Sequence, residues 1–259
     1  MPAPWNVVGA SVTGRSHFKQ NTPCQDAHAY QMAAGGTVLI AVSDGAGSAA
    51  RSDAGAGQAV KSATQHLYTE LSEGKPKTAR KWGELLLRAF HRTRKDVLAL
   101  ANGDPMDARQ FACTLTLVIS DQNWLVTGQI GDGLAVAHSA ENRLHVVAAP
   151  QRGEYANTTF FLTGPEAPDQ FLGRVYHQGS QIESVSGLAV MTDGLTGLAI
   201  DRASGKAHRP FFTPLMAFPL SMPAQDEGIA DLTQFLKSER VNARTDDDKT
   251  LVLAARAEK

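Results

Sequence analysis

The stretch Val38-Leu39-Ile40-Ala41-Val42-Ser43-Asp44-Gly45-Ala46-Gly47-Ser48 decides how the rest of the chain reads. Its short apolar run is too brief for a helix and rich in β-branched side chains, which marks a buried strand. The run stops abruptly at a polar, glycine-rich turn, and the period then changes. Between Ala54 and Leu71, Val60, Ala63, Leu67 and Leu71 recur at three- and four-residue spacing until Gly74-Lys75-Pro76 halts the pattern. A strand that delivers a turn, and a turn that feeds a helix, form the first unit of the fold.

Outward from that unit, Trp82, Leu85, Leu86, Ala89, Phe90, Val97 and Leu100 form a second helical stripe, with Arg88, Arg92, Arg94 and Lys95 on the remaining face. Residues 113–119, 124–127, 134–137 and 144–147 are β-branched and partly alternating, and the short turns between them predict an antiparallel sheet. Leu188–Met191 and Thr250–Leu253 add strands, and Ile229–Leu236 a short helix. The proline-rich residues 210–223 read as an irregular surface segment. No internal repeat, low-complexity tract or linker interrupts the pattern, so a single α+β domain over residues 1–259 is expected.

Bulk properties narrow the functional classes. Lys plus Arg number 25 against 26 Asp plus Glu, a formal charge of -1, so there is no basic field for nucleic acid and a partner must be chosen by a site. Hydrophobic residues make up 42% and charged residues 20%, a globular composition rather than a disordered one. Met1–Asn6 lacks the basic start and apolar run of a signal peptide, and no apolar stretch approaches the roughly 18 residues of a membrane span. A cytoplasmic protein without a membrane partner is expected. Cys24 and Cys113 lie far apart without a CxxC, which suits two reduced thiols rather than a disulfide framework or a structural zinc site.

Aspartates recur where strands meet turns: Asp44, Asp132 within Gly131-Asp132-Gly133, Asp193 within Thr192-Asp193-Gly194, and Asp246-Asp247-Asp248 ahead of the last strand. Strand ends are where a rigid scaffold presents functional groups, and a neighbouring glycine lets backbone approach an ion closely. Asp-Gly is also an ordinary turn dipeptide, so one instance carries nothing. Several in one chain, each beside an apolar strand, suit a hard divalent cation such as Mg²⁺ or Mn²⁺, which takes carboxylate, carbonyl and water oxygens.

Gly14-Arg15-Ser16-His17, Asn21, Pro23-Cys24-Gln25-Asp26, Ser43–Ser48, Gly131-Asp132-Gly133, Thr192-Asp193-Gly194 and Asp247-Asp248-Lys249-Thr250 together resemble the motif series of the metal-dependent, type-2C Ser/Thr protein phosphatases, the bacterial branch above all. The resemblance runs from about Ser11 to Leu253. It implies a central sandwich of two antiparallel β-sheets flanked by α-helices, with metals at one end. It also implies roles: Asp44 bridging two ions, Gly45 giving its carbonyl to the second, Asp193 and Asp247 completing the first, Asp26 reaching the second through water, and Asp132 holding a weaker third ion. Two cations so placed lower the pKa of a shared water and stabilise the attacking and leaving oxygens in displacement at phosphorus, so no protein nucleophile is required.

The chain departs from that pattern at several places. Gln25 stands where many relatives have glutamate, Ala46 where the eukaryotic form has histidine, Gly197 where a further aspartate is common, and Asn21 where many relatives have a phosphate-binding arginine. Arg15 and His17 are the nearby candidates for contact with phosphate, and His17 also for an acid; a loop histidine at the surface is the plainer alternative. His28 and Cys24 read as structural. Residues 154–159 resemble a segment of the bacterial branch, although a turn followed by a strand Thr159–Leu162 explains them as well. Lys75–Lys95 holds eight Lys or Arg residues and reads as a solvated helix face, with attraction of a phosphorylated partner as the sharper alternative.

The expected activity is metal-dependent hydrolysis of phosphoserine and phosphothreonine in proteins, with a phosphorylated protein as substrate and a Ser/Thr kinase as implied counterpart. The competing readings are a catalytically weak regulatory module that binds a phosphorylated ligand, and a metal-dependent hydrolase of small phosphoesters.

Overall fold

The computed structural model describes residues 3–103, 105–151, 159–201 and 203–257, the side chains of residues 105 and 106 excepted. Residues 154–158 of the segment singled out above lie outside them. The strands are β1 Asn6–Val12, β2 Ala27–Ala33, β3 Thr37–Ser43, β4 Leu115–Ser120, β5 Trp124–Ile130, β6 Leu134–Ser139, β7 Leu144–Ala148, β8 Leu172–His177, β9 Val185–Met191 and β10 Lys249–Ala255. The helices are α1 Arg15–Gln20, α2 Ser52–Glu73, α3 Ala79–Ala99, α4 Pro105–Ala108, α5 Ala167–Gln170, α6 Thr196–Ala199, α7 Arg209–Ser221, α8 Gln225–Lys237 and α9 Glu239–Asn242, with single 3₁₀ turns at Arg109–Phe111 and Asp193–Leu195.

Two five-stranded sheets form, in the orders β1-β10-β9-β6-β7 and β2-β3-β4-β5-β8. All neighbouring strands are antiparallel. The sandwich explains why β3 is apolar throughout. Val38, Ile40 and Val42 join Val118, Val190 and Val252 in a core between the sheets. Leu39 and Ala41 turn the other way, onto Leu67 of α2 and Trp82 and Phe90 of α3. On the opposite outer face, Val8, Val136, Ala189 and Leu253 meet Phe212 and Met216 of α7 and Leu232 and Leu236 of α8. The architecture is therefore α+β, two antiparallel sheets between layers of helix. Each fully buried Leu, Ile or Val contributes roughly 1.5–3 kcal/mol relative to exposure, so strands buried on both faces hold the layers together.

Two expectations are corrected. Residues 210–223 are not irregular, since α7 spans Arg209–Ser221 with Pro214 and Pro219 inside it. Pro210 sits in the first turn, where its missing N–H costs nothing, and burial of Phe212, Leu215 and Met216 outweighs the bonds lost further on. Thr159–Leu162 is not a strand; among the described residues its ladder-like bond is from Leu162 N–H to the Cys113 carbonyl at 2.7 Å.

Register sets the functional end. Ser43 pairs with Ala27, which places Asp26 opposite Asp44. Leu134 pairs with Met191, which places the Asp132 turn beside Asp193. Val12 pairs with Lys249, which brings Gly14 to Asp248.

Candidate metal centre

Asp44, Asp132 and Asp193 leave three different strand ends and converge. Each is half-buried and offers one carboxylate oxygen, and these oxygens lie within 4.8 Å of one another. Asp44 is held from both sides of its backbone by Thr114: its N–H donates to Thr114 Oγ1 at 2.9 Å, and its carbonyl accepts from Thr114 N–H at 2.8 Å. The next residue, Gly45, packs too closely for a side chain, because a Cβ would lie 2.7 Å from the Gln25 carbonyl oxygen and 2.8 Å from Ser52 Cβ. Its N–H donates to that same carbonyl, while its own carbonyl accepts no hydrogen bond among the described residues.

The Asp132 turn depends on Gly131, whose φ of +103° favours glycine. Gln129 braces it, with Nε2 donating to the carbonyls of Gly131 at 3.2 Å and Gly133 at 2.6 Å. Thr159 Oγ1 donates to Asp132 Oδ2 at 2.7 Å, whereas Oδ1 is buried with no partner among the described residues. A buried carboxylate oxygen without a donor is costly, so it marks a position that a cation fits.

Asp26 is buried beside Asp44, outside the group of three, and accepts the Thr192 hydroxyl at 2.7 Å. Thr192 in turn accepts the backbone N–H of Thr250 at 3.0 Å, which ties three sequence motifs together. Asp247 is exposed, and its charge helps to raise the Asp193 pKa. Its neighbour Asp248, which sequence reasoning passed over, is the buried member of the acidic run. It accepts the N–H groups of Gly14 and Gln25, both at 2.6 Å, and lies 3.0 Å from His17 Nδ1. Alternation along an extended chain was the available signal: two adjacent aspartates face opposite ways. His17 thus faces a structural carboxylate, and Arg15 pairs with Glu239 at 2.6 Å on the surface. His17 is not part of the group of three.

Electrostatics matches the geometry. Burial lifts Asp193 to about 7, and the charges of Asp132, Asp247 and Asp26 push it further the same way. Burial also lifts Asp26 to about 7 against the downward pull of the Thr192 hydroxyl. Asp44 is raised well above the usual carboxylate range, by burial first and then by Asp26 and Asp193. Carboxylates crowded in this way favour a divalent cation among them, and an all-oxygen donor set suits a hard one. Burial pushes the Cys24 and Cys113 thiols up to about 12, so neither is a nucleophile at neutral pH. His28 is structural, its Nδ1 2.8 Å from Ser11 Oγ and its pKa lowered by burial.

The chain belongs to the protein phosphatase 2C family, which matches residues 13–237. It is 34% identical over 266 residues to serine/threonine-protein phosphatase 3 of Escherichia coli strain K12, an alignment covering 98% of this chain and 99% of that one. Among solved structures it resembles the serine/threonine phosphatase Stp1 of Staphylococcus aureus, with a TM-score of 0.64 at 13% identity, covering 100% of this chain and 98% of that one. It also resembles the catalytic domain of the serine threonine protein phosphatase PstP in complex with two manganese ions, with a TM-score of 0.63 at 18% identity over 98% and 99% of the two chains. At those identities the two structures speak for the fold. Family membership makes the chain a metal-dependent protein phosphatase. No helix among the described residues is long and apolar enough to cross a membrane.

Proposed function

We propose that the chain hydrolyses phosphoserine and phosphothreonine in proteins at a centre built on Asp44, Asp132 and Asp193. The observation that carries this reading is the convergence of three carboxylate oxygens within 4.8 Å at one end of the sandwich. Mg²⁺ or Mn²⁺, as two ions with a weaker third at Asp132, would supply Lewis-acid polarisation of the phosphoryl group and a water of lowered pKa. Asp44, which feels the charges of Asp26, Asp193 and Asp132 together, would take the bridging role, with the Gly45 carbonyl as a further donor. Asp132 contributes its unpartnered oxygen, Asp193 closes the group, and Asp26 and Asp247 act from beside it. Asp248 and Thr192 hold the backbone that carries these donors. His17 and Arg15 remain the candidates from α1 for contact with phosphate, after rearrangement away from Asp248 and Glu239. The buried Asp132 oxygen left without a partner among the described residues favours a metal-dependent hydrolytic centre over a regulatory module.

The E. coli relative is named a serine/threonine-protein phosphatase, which supports the same substrate class here. A Ser/Thr kinase that installs the phosphate is the implied counterpart, and the two unpaired thiols suit the cytoplasm. The test is hydrolysis of a phosphothreonine peptide in EDTA, Mg²⁺ or Mn²⁺, alongside Asp193→Asn. Turnover that requires metal and is lost in the variant is expected. Turnover in EDTA equal to that in Mn²⁺ would sink the reading.

A further inference from the structure

The loop that leaves Asp44 has a second face. Its residues Ala46, Ser48 and Ala49 form one wall of a groove of about 670 Å³, and the other walls come from α3, from Arg109 and Gln110, and from Phe161 and residues 163–165. Leu98 and Phe161 give the groove an apolar lining, and among the described residues the ionisable side chains that line it are Arg94 and Arg109. Arg94 donates from a terminal nitrogen to the Gly164 carbonyl at 3.0 Å, while its Nε is buried without a partner among the described residues. Neither arginine forms an ion pair among those residues. On the same helix, by contrast, Arg80 pairs with Glu84, and Arg88 and Arg92 pair with Glu70. Among the described residues, the other arginines of that helix thus each have a carboxylate partner, and the two at the groove have none.

We propose that this groove receives the stretch of phosphoprotein flanking the phosphorylated residue, and that Arg94 and Arg109 select stretches carrying an anionic side chain, a carboxylate or a second phosphate. The inference rests on the hydrolytic reading above and names part of its substrate preference. Two features carry it. The groove shares a wall with the Asp44 turn, so a chain whose phosphate lies at the carboxylate group enters the groove within a few residues at roughly 3.3 Å each. A guanidinium without a carboxylate partner, beside an apolar floor, recognises carboxylate or phosphate through charge-assisted hydrogen bonds.

Three phosphothreonine peptides that differ only in a neighbouring Lys, Glu or phosphoserine test this on the Mn²⁺-loaded full chain, with turnover of p-nitrophenyl phosphate used to count active centres. The wild type is expected to favour the Glu and phosphoserine peptides over the Lys peptide by about tenfold in kcat/KM, mainly through KM. Arg109→Gln, at an exposed position, is expected to cut that preference to about threefold, Arg109→Lys to restore part of it, and Arg94→Gln to act in the same direction as Arg109→Gln. A gain confined to the phosphoserine peptide identifies the second phosphate as the ligand, and equal gains identify either anion. Equal kcat/KM for all three peptides, or a preference untouched by Arg109→Gln, overturns the proposal. If no metal-dependent turnover occurs, the hydrolytic reading falls, and fluorescence anisotropy of the same labelled peptides decides the groove: an Arg109-dependent preference upholds it and indifference ends it.

Discussion

Asp248 Oδ2 accepts the backbone N–H of Gln25 at 2.6 Å across 223 residues of sequence. The other oxygen of the same carboxylate accepts from Gly14 at 2.6 Å. One buried side chain from the end of the fold thus fixes the N-terminal loop that places Asp26 against Asp44.

Asp248→Ala leaves two buried N–H groups without acceptors, and each such loss costs about 1–3 kcal/mol. Urea unfolding of the metal-free protein is expected to show a loss of about 3 kcal/mol, with Asp248→Asn losing less. A loss below about 0.5 kcal/mol would show that the clamp is incidental.

Asp193→Asn removes one member of a mutually repelling group. In EDTA its Tm is expected to rise by about 2–4 °C, which corresponds to roughly 1 kcal/mol in a chain of this size. In Mn²⁺ the order reverses, because the wild type gains binding energy that the variant lacks. Differential scanning fluorimetry under both conditions checks the crossing; a variant less stable than wild type in EDTA contradicts the crowding of charge.

The pH dependence has the opposite sign from an ordinary ion-paired aspartate. Asp26 and Asp193 keep their protons to about pH 7 when folded, against 3.8 as the ordinary value. Between those limits the folded state binds more protons than the unfolded state, so the stability of the metal-free protein falls as pH rises. His28, with its lowered pKa, works against this below its ordinary 6.5, so the difference between wild type and Asp193→Asn isolates the carboxylates. That difference is expected to widen from about pH 5 to about pH 7.5 in EDTA and to vanish or invert in Mn²⁺. A constant difference across the range would refute it.

Gly45→Ala forces a methyl to 2.7 Å from the Gln25 carbonyl oxygen. Over-packing of this kind costs about 1–3 kcal/mol, and here it also shifts the carbonyl beside the carboxylate group. Weakened Mn²⁺ binding by calorimetry is expected together with lower stability, whereas Gly197→Ala, where a Cβ meets nothing within 4 Å, should change stability little. Equal behaviour of the two variants would exclude a tight role for Gly45.

Much of the fold was legible because its strands are buried on both faces. The runs at residues 38–42, 188–191 and 250–253 are apolar enough to read alone, and each ends at an aspartate or follows one. β2 was not legible: Ala27–Ala33 alternates His28, Tyr30 and Met32 with alanines and Gln31 and is only partly buried. β8, Leu172–His177, was hidden for a similar reason, as a partly exposed edge strand of mixed polarity. α7 was misread because proline's local penalty is visible in sequence, while the sheet that its apolar face covers is not.

The sequence by itself determined the kind of centre: aspartates at strand ends, glycines beside them, and no cysteine or histidine set to compete. Local propensity and hydrophobic period carry that information residue by residue. Which carboxylates meet was decided by tertiary structure alone. Asp132 reaches Asp44 and Asp193 because Leu134 is registered against Met191, and Asp248 rather than Asp247 turns inward to hold the loop. Strand register is a pairing of residues distant in the chain, and a shift of one residue reverses every side chain, so no local signal contains it.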